Sequence, residues 1–357
     1  MQGDRPPYLL DAVHLSIVFS YYGAFQLGTD IGGANSNSAG NRMGALECSE
    51  LVHNYGQSYT NSDPATAFEY YCLAAEVKGG GHASVIETQG QLLRELLNQS
   101  RAFGTLLGAG GSGSGALLSK LKPDKKERQS IIVAAAVGCM QNAQFDEAIE
   151  LFMHADKPMN ALDVINKRYC DVISLKGGEM QGQTADDLEQ RGNAAIAAMD
   201  NRANAETPTR SASDLAAKKE EIFAFQTLCL TRKLFDLFRE SRHGECFQLL
   251  AEFTFLPIRT EQVSKYASDA SNLHIAVKEK LPQVVKIAGA TISELMQERR
   301  AIQVQQQHMV TPSSHGHDGS SSHELRTRLH SLALYAGYVK IIPENIATEL
   351  NILLNTV

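Results

Sequence analysis

No long apolar run occurs in the chain. The longest, Ile131–Val137, falls far short of the ~20 residues a membrane span needs. The N-terminus has no basic region followed by an apolar core, so no secretory signal is visible. No C-x-x-C pair is present. Six cysteines, Cys48, Cys72, Cys139, Cys170, Cys229 and Cys246, are scattered, which excludes the usual zinc and redox motifs. Most lie inside apolar helical patterns, as reduced, buried thiols of the cytosol or nucleus do. Positive charge is not in excess either: 33 basic residues face 40 acidic ones, a net charge of −7. That balance argues against direct nucleic-acid binding, which wants a basic stripe. The one local basic run, Lys120–Arg128, reads as a solvated helix start.

Catalytic signatures are missing as well. No G-x-S-x-G, H-E-x-x-H or D-x-D-x-D-G pattern occurs. Gly108, Gly110 and Gly113 have G-x-G-x-x-G spacing. A dinucleotide loop needs a strand before it and a βαβ unit around it, and here a helix precedes it. His308, His315, His317 and His323 surround Asp318 in a Ser/Gly-rich stretch, which offers no rigid second shell to orient metal ligands. Asp186 and Asp187 are adjacent carboxylates without the apolar setting that tunes a catalytic acid. His14, Cys72, Cys139 and Cys170 fall on or near apolar helix faces, where core packing is the ordinary role. No catalytic residue, cofactor or metal ligand is assigned, and the expectation is a protein that is not an enzyme.

What the chain does have is a recurring helix face. Asp63–Gly81 contains a complete short helix: Asp63 as N-cap, Pro64 at the first helical position, and Gly79, Gly80 and Gly81 as the stop. Ala67, Tyr70, Tyr71 and Ala74 share one face, small alternating with large. Ala148–Ala155, AIELFMHA, repeats the pattern of Ala67–Ala74, AFEYYCLA. Such a face cannot bury itself alone and needs a stacked neighbour, the mark of a helical solenoid.

The remaining segments follow suit. Tyr8–Phe25 is a strongly apolar helix, with Leu9, Leu10, Val13, Ile17, Tyr21 and Phe25 spaced for burial and Val18 and Phe19 widening the stripe. So wide a surface predicts a helix covered on more than one side. Ala45–Tyr59 is predicted to form an antiparallel pair with Asp63–Gly81 across the turn at Thr60–Pro64. Helices are expected over Ser84–Phe103, Lys125–Gln141, Phe145–Ala155 and Met159–Leu175, the last three joined by turns short enough to force antiparallel neighbours. Ser213–Glu240, with Ser213 a candidate cap, Cys246–Phe253, Glu261–Ala270, Leu273–Glu279, Leu281–Gln307, His323–Val339 and Pro343–Leu354 complete the set. Stretches 28–44, 104–115, 176–212 and 309–322 are read as flexible loops, with one short helix at Asp186–Met199. Ile131–Val137 could pass for a strand, but the spacing around it is helical. The fold class is all-α: one solenoid of stacked antiparallel helix pairs over residues 1–357.

Four segments carry a family resemblance: LLDAVHLSIVFSYYGAF from Leu9, DPATAFEYYCLAAEVKGGG from Asp63, the run from Arg128 through QFDEAIELFMHADKPMNALDVINKRYCDVI, and FTFLPIR from Phe253. With these the chain resembles the nucleoporin-interacting-component family, the inner-ring scaffold nucleoporin of about ninety-three kilodaltons. The resemblance implies a coat-nucleoporin-like solenoid that folds back on itself. It implies a structural role in the nuclear pore complex at the nuclear envelope, binding other inner-ring scaffold and linker nucleoporins and supporting transport of protein and mRNA. Membrane association would come through partners. The family has a further N-terminal part that recruits central-channel nucleoporins, and the match starts midway through the solenoid, so that role is not carried over. No contact residue transfers to a number in this chain. The rival from the residues themselves is a tetratricopeptide-like adaptor or co-chaperone, since Gly56, Tyr59, Ala67 and Tyr71 mimic that repeat. The two alanine faces begin 81 residues apart, however, which is no multiple of 34. A solenoid enzyme would need polar residues facing one cavity, and no such cluster is visible.

Overall fold

The structure is a computed structural model that describes residues 8–22, 38–78, 82–108, 116–122, 124–173, 179–205, 212–309 and 319–356. Among these residues every regular element is helical, and no strand occurs. The chain divides into two compact units, Met1–Ala161 and Leu162–Val357, where the sequence predicts one solenoid.

The first unit holds α1 (Tyr8–Tyr21), α2 (Ser38–Gln57), α3 (Pro64–Lys78), α4 (His82–Ser100), α5 (Phe103–Leu107), α6 (Leu117–Leu121), α7 (Lys125–Gln141) and α8 (Phe145–His154). Packing runs along the stack, α1 on α2, α2 on α3, α3 on α4, α4 on α7 and α7 on α8, while α3 also meets α1 and α5, and α5 meets α4 and α6. The α2–α3 hairpin is built as its sequence predicts. Asp63 caps α3, accepting the Thr66 N–H at 3.2 Å and the Thr66 hydroxyl at 2.6 Å. Ala67, Tyr71 and Ala74 are fully buried and Tyr70 is half-buried. Tyr70 packs edge-on against Tyr55 at 5.0 Å and stacks on Tyr59 at 6.0 Å, while Tyr71 meets His53 at 4.6 Å. Ser49 Oγ donates to the Ala74 carbonyl at 2.7 Å, a second tie between the helices. Gly56 is what lets them come this close, because a Cβ there would lie 2.6 Å from Tyr70 Cβ. The matching face in α8 behaves alike: Ala148, Ile149, Leu151, Phe152 and Ala155 are buried while Glu150 is exposed. The turns after α7 and α8 close with Ala143 and Asp156 in left-handed backbone, at φ 58° and 56°.

The second unit takes in most of α9 (Pro158–Val172), then α10 (Glu179–Ala205), α11 (Ala212–Arg239), α12 (His243–Leu249), α13 (Val263–Ala270), α14 (Ile275–Met309), α15 (Gly319–Tyr338) and α16 (Glu344–Thr356), with 3-10 turns at Leu250–Glu252 and Thr260–Gln262. Its hub is α14, which packs on α11, α12, α15 and α16. Residues Phe253–Arg259 pass between the two turns with Phe253, Phe255 and Leu256 buried.

Several expectations change. The short helix read at Asp186–Met199 is longer, spanning residues 179–205 and taking in much of the stretch read as a loop. Its inward stripe is Ala185, Leu188, Gly192, Ala195 and Met199, at spacings of three and four. Small residues make that stripe faint in sequence, but they let the Phe225 ring of α11 sit directly over Gly192. Residues 103–107, 38–44 and 319–322 are helical too, so the stretches read as loops are shorter at those ends. Leu273–Glu279 and Leu281–Gln307 are one helix, α14, with Pro282 inside it. The proline forgoes one backbone hydrogen bond, and packing on four neighbouring helices holds the continuation. Ser213 lies inside the first turn of α11 rather than capping it. Lys122 is not solvated: it is buried, 2.9 Å from Glu127 Oε1.

Candidate binding surfaces

The first helix has two apolar sides, and among the described residues one of them is covered. Val13 and Ser16 are buried against α2 and α3, with Ile17 partly covered. Tyr8, Leu10, Leu15, Val18, Phe19, Tyr21 and Tyr22 are exposed. The expectation of a helix covered on more than one side is therefore corrected for Leu10 and Tyr21, which face outward. Phe25 lies outside the described residues. His14, expected near an apolar core, is exposed as well. Large exposed apolar patches on a folded chain mark sites of protein contact. A smaller one lies at the other end of the sequence, where Leu334, Tyr338 and Ile341 follow one another at helical spacing on and just after α15.

Polar groups converge in the second unit at one place. Asp163, Glu221 and His274, from α9, α11 and the residue before α14, bring one ligand-type atom each within 4.8 Å of one another. Glu221 Oε1 lies 3.5 Å from His274 Nε2, and Asn166 Nδ2 donates to the other Glu221 oxygen at 2.8 Å. Lys167 Nζ lies 2.8 Å from Asp163. His274 is also the N-cap of α14, its Nδ1 accepting the Ala276 N–H at 3.3 Å. In the neutral ring Nδ1 is then the acceptor and Nε2 points its proton at Glu221; the charged ring keeps the Glu221 contact and gives up the cap. A metal would need the Nε2 lone pair and a site free of the Lys167 ammonium. The donor set therefore fits an ion-pair network rather than a metal centre. Burial alone raises the Glu221 carboxyl, but hydrogen bonds from His274 and Asn166 outweigh it and hold its pKa below the ordinary value. The same carboxylate raises that of His274, against its burial.

A second network surrounds Arg232. It lies 2.6 Å from Asp186 and 3.2 Å from Glu189, and Glu189 accepts the Tyr169 hydroxyl at 3.0 Å. Asp186, considered above as a possible acid, is thus one arm of an ion pair between α10 and α11. Asp187 pairs with Arg191 one turn on, at 2.9 Å. The other candidates are not brought together. Gly108 ends α5 in left-handed backbone at φ 79°, and Gly110 and Gly113 lie outside the described residues. His323 is exposed on α15, while His315, His317 and Asp318 lie outside the described residues and His308 is described in backbone alone. Cys139 and Cys170 are buried and Cys72 is half-buried, with burial pushing Cys72 and Cys170 up to about 12. At that value the thiolate needed for nucleophilic or metal chemistry is scarce. Neither polar network was visible from the sequence, because its members lie as far as 111 residues apart, from Asp163 to His274. The Asp163–Lys167 and Arg232–Asp236 pairs do have a local signal, their spacing of four. Among the described residues no helix is long and apolar enough to cross a membrane.

The crystal structure of Chaetomium thermophilum Nic96 SOL is similar over 96% of this chain and 52% of its own, with a TM-score of 0.66 at 18% identity, a likeness of fold. Nuclear pore complex protein NUP93A of Arabidopsis thaliana is 32% identical over 191 residues, 50% of this chain and 22% of the relative. NUP93B of the same plant is 27% identical over 296 residues, 79% of this chain. The chain spans 22% and 33% of the lengths of these two relatives. The profile of the Nup93/Nic96 family matches residues 4–348. Matched over nearly its whole length, the chain belongs to the Nup93/Nic96 family.

Proposed function

We propose that this chain is a structural scaffold of the nuclear pore inner ring, located at the nuclear envelope. It holds other scaffold and linker nucleoporins on its outer helix faces, and through them supports transport of protein and mRNA. The observation that carries this reading is the family match over residues 4–348. The stacked helices of the first unit and the uncovered apolar side of α1 support it, since both suit binding by surface. Membrane association is indirect, through partners, and the two compact units act as parts of one solenoid. The test is an endogenous tag with proximity labelling. The expected result is a rim signal at the nuclear envelope and labelling of inner-ring nucleoporins. A diffuse cytosolic signal with chaperones labelled would refute the reading in favour of a tetratricopeptide-like adaptor.

A further inference from the structure

The first turn of α14, the hub helix of the second unit, hangs on one residue. His274 is buried just before it. Its Nδ1 accepts the Ala276 N–H at 3.3 Å, and its carbonyl accepts the Val277 and Lys278 N–H groups at 3.0 Å each. Its other ring nitrogen, Nε2, lies 3.5 Å from Glu221 Oε1. The ring can serve both sides only while neutral, because capping needs a lone pair on Nδ1. A charged imidazole has two donors and no acceptor, so Nδ1–H and the Ala276 N–H would point at each other.

The surroundings suit the charged ring equally well. Asp163 of α9 and Glu221 of α11 each bring a carboxylate oxygen within 4.8 Å of the other and of a His274 ring nitrogen. Glu220 of α11 adds a third negative charge nearby. From α9 come Lys167, 2.8 Å from Asp163, and Cys170, whose thiol donates to the Ala276 carbonyl at 3.2 Å. On α14 itself Glu279 and Lys280 lie near Cys170 and offset each other in charge. Three carboxylates against the Lys167 ammonium favour a positive ring.

We propose that His274 is a proton-driven switch with two roles: neutral, it caps α14; charged, it leaves the cap and clamps α9 to α11 through Asp163 and Glu221. Asn166 already joins those two helices, its Nδ2 donating to the Glu221 carboxylate at 2.8 Å and to the Glu221 carbonyl at 3.1 Å. The clamp therefore tightens an existing joint, while the first turn of α14 loses its side-chain cap. The two effects have opposite signs. A proton that only stabilised the unit would protect all of these helices alike. An ordinary imidazole titrates near neutral pH, and the Glu221 carboxylate moves this one upward. This inference uses the cluster alone and is independent of the nuclear-pore reading.

Hydrogen exchange of the purified 357-residue chain, read by mass spectrometry over Ala276–Lys278 and corrected for intrinsic rates, tests it. From pH 8 to pH 6 protection of these amides should fall ~tenfold, while protection along the middle of α11 holds or rises. In His274→Asn the side-chain oxygen can still accept the Ala276 N–H but does not titrate. Its protection should stay at the pH 8 level throughout. Asp163→Asn should move the wild-type midpoint to lower pH by removing one arm of the clamp. Imidazole 15N spectra of the histidine-labelled chain, with His274 assigned from its absence in His274→Asn, should show a bare Nδ1 above the midpoint and two protonated nitrogens below it. Protection independent of pH would overturn the proposal. So would a pH response that persists in His274→Asn, an unmoved midpoint in Asp163→Asn, or a neutral ring protonated on Nδ1.

Discussion

Replacing Gly56 with alanine should loosen the first unit, although alanine is the better helix former. The change adds one methyl group, and at an open helix site it would stabilise by ~0.5–1 kcal/mol. At Gly56 the new Cβ would sit 2.6 Å from Tyr70 Cβ, with Tyr71 Cδ2 at 3.4 Å and the Ala67 carbonyl at 3.6 Å. Ordinary carbon contacts begin near 3.5 Å. The obstacle is a Cβ, which no rotamer change moves, so the backbones of α2 and α3 must separate by close to an ångström. Overpacking of this kind costs ~1–3 kcal/mol. Position 56 is also next to the end of α2, where the propensity gain is smallest. The net expectation is a loss of about 1–2 kcal/mol. The chain has no tryptophan to report this locally, so hydrogen exchange read by mass spectrometry is the suitable assay. Amides of Pro64–Lys78 should exchange roughly tenfold faster, the equivalent of ~1.4 kcal/mol. Gly90 in α4 supplies the control, because a Cβ there meets nothing within 4 Å. Gly90→Ala should leave exchange unchanged or slow it by a few-fold. If Gly56→Ala matched Gly90→Ala, the close approach of α2 to α3 would not be holding the hairpin, and the reasoning would fail.

Gly192→Ala places a Cβ 2.2 Å from Cε2 of the buried Phe225 ring. Urea denaturation should show ~1–2 kcal/mol of destabilisation, largely recovered by adding Phe225→Leu. The His274–Glu221 pair should make the second unit's stability depend on pH from both sides. Glu221 has a lowered pKa, so its contribution is present above its ordinary 4.5 and is lost as pH falls through the lowered value. His274 has a raised pKa, so its contribution is present below its ordinary 6.5 and is lost as pH rises through the raised value. Urea midpoints measured from pH 3 to 9 should fall at both ends, and His274→Ala should flatten the alkaline limb; an unchanged limb would refute the assignment. Burial pushes Cys72, Cys170 and Cys229 up to about 12. Iodoacetamide at pH 7.5 should label all three slowly in the native chain and quickly in urea, as peptide mapping would show.

Much of the architecture could be read from the chain because large apolar residues fall at helical spacing in α3, α4, α7, α8 and α11. Their ends are marked too: Asp63 caps α3, and the short turn after α7 sets α8 against it as predicted. The misses share a cause. The inward stripe of α10 is Ala185, Leu188, Gly192, Ala195 and Met199, so its burial signal is weak until Phe225 is seen against it. The break read between Glu279 and Leu281 is absent, because α14 is held through this point by the four helices packed on it. Leu10 and Tyr21 were read as core because apolar spacing says a face will be covered but not by what. The polar networks joining α9 to α11 and α14, and α10 to α11, depend on residues brought together only by the fold.

Packing in the first unit runs largely between successive helices, with α3 also touching α1 and α5. Tension applied along such a stack would be borne by its joints in series. A small opening at each would add to a large extension while every helix stayed wound. The α2–α3 joint would resist most, because Tyr70 interlocks with Tyr55 and Tyr59 where Gly56 brings the two backbones close. A stack assembled this way would behave as a spring, extending at its joints and recovering without any helix unwinding.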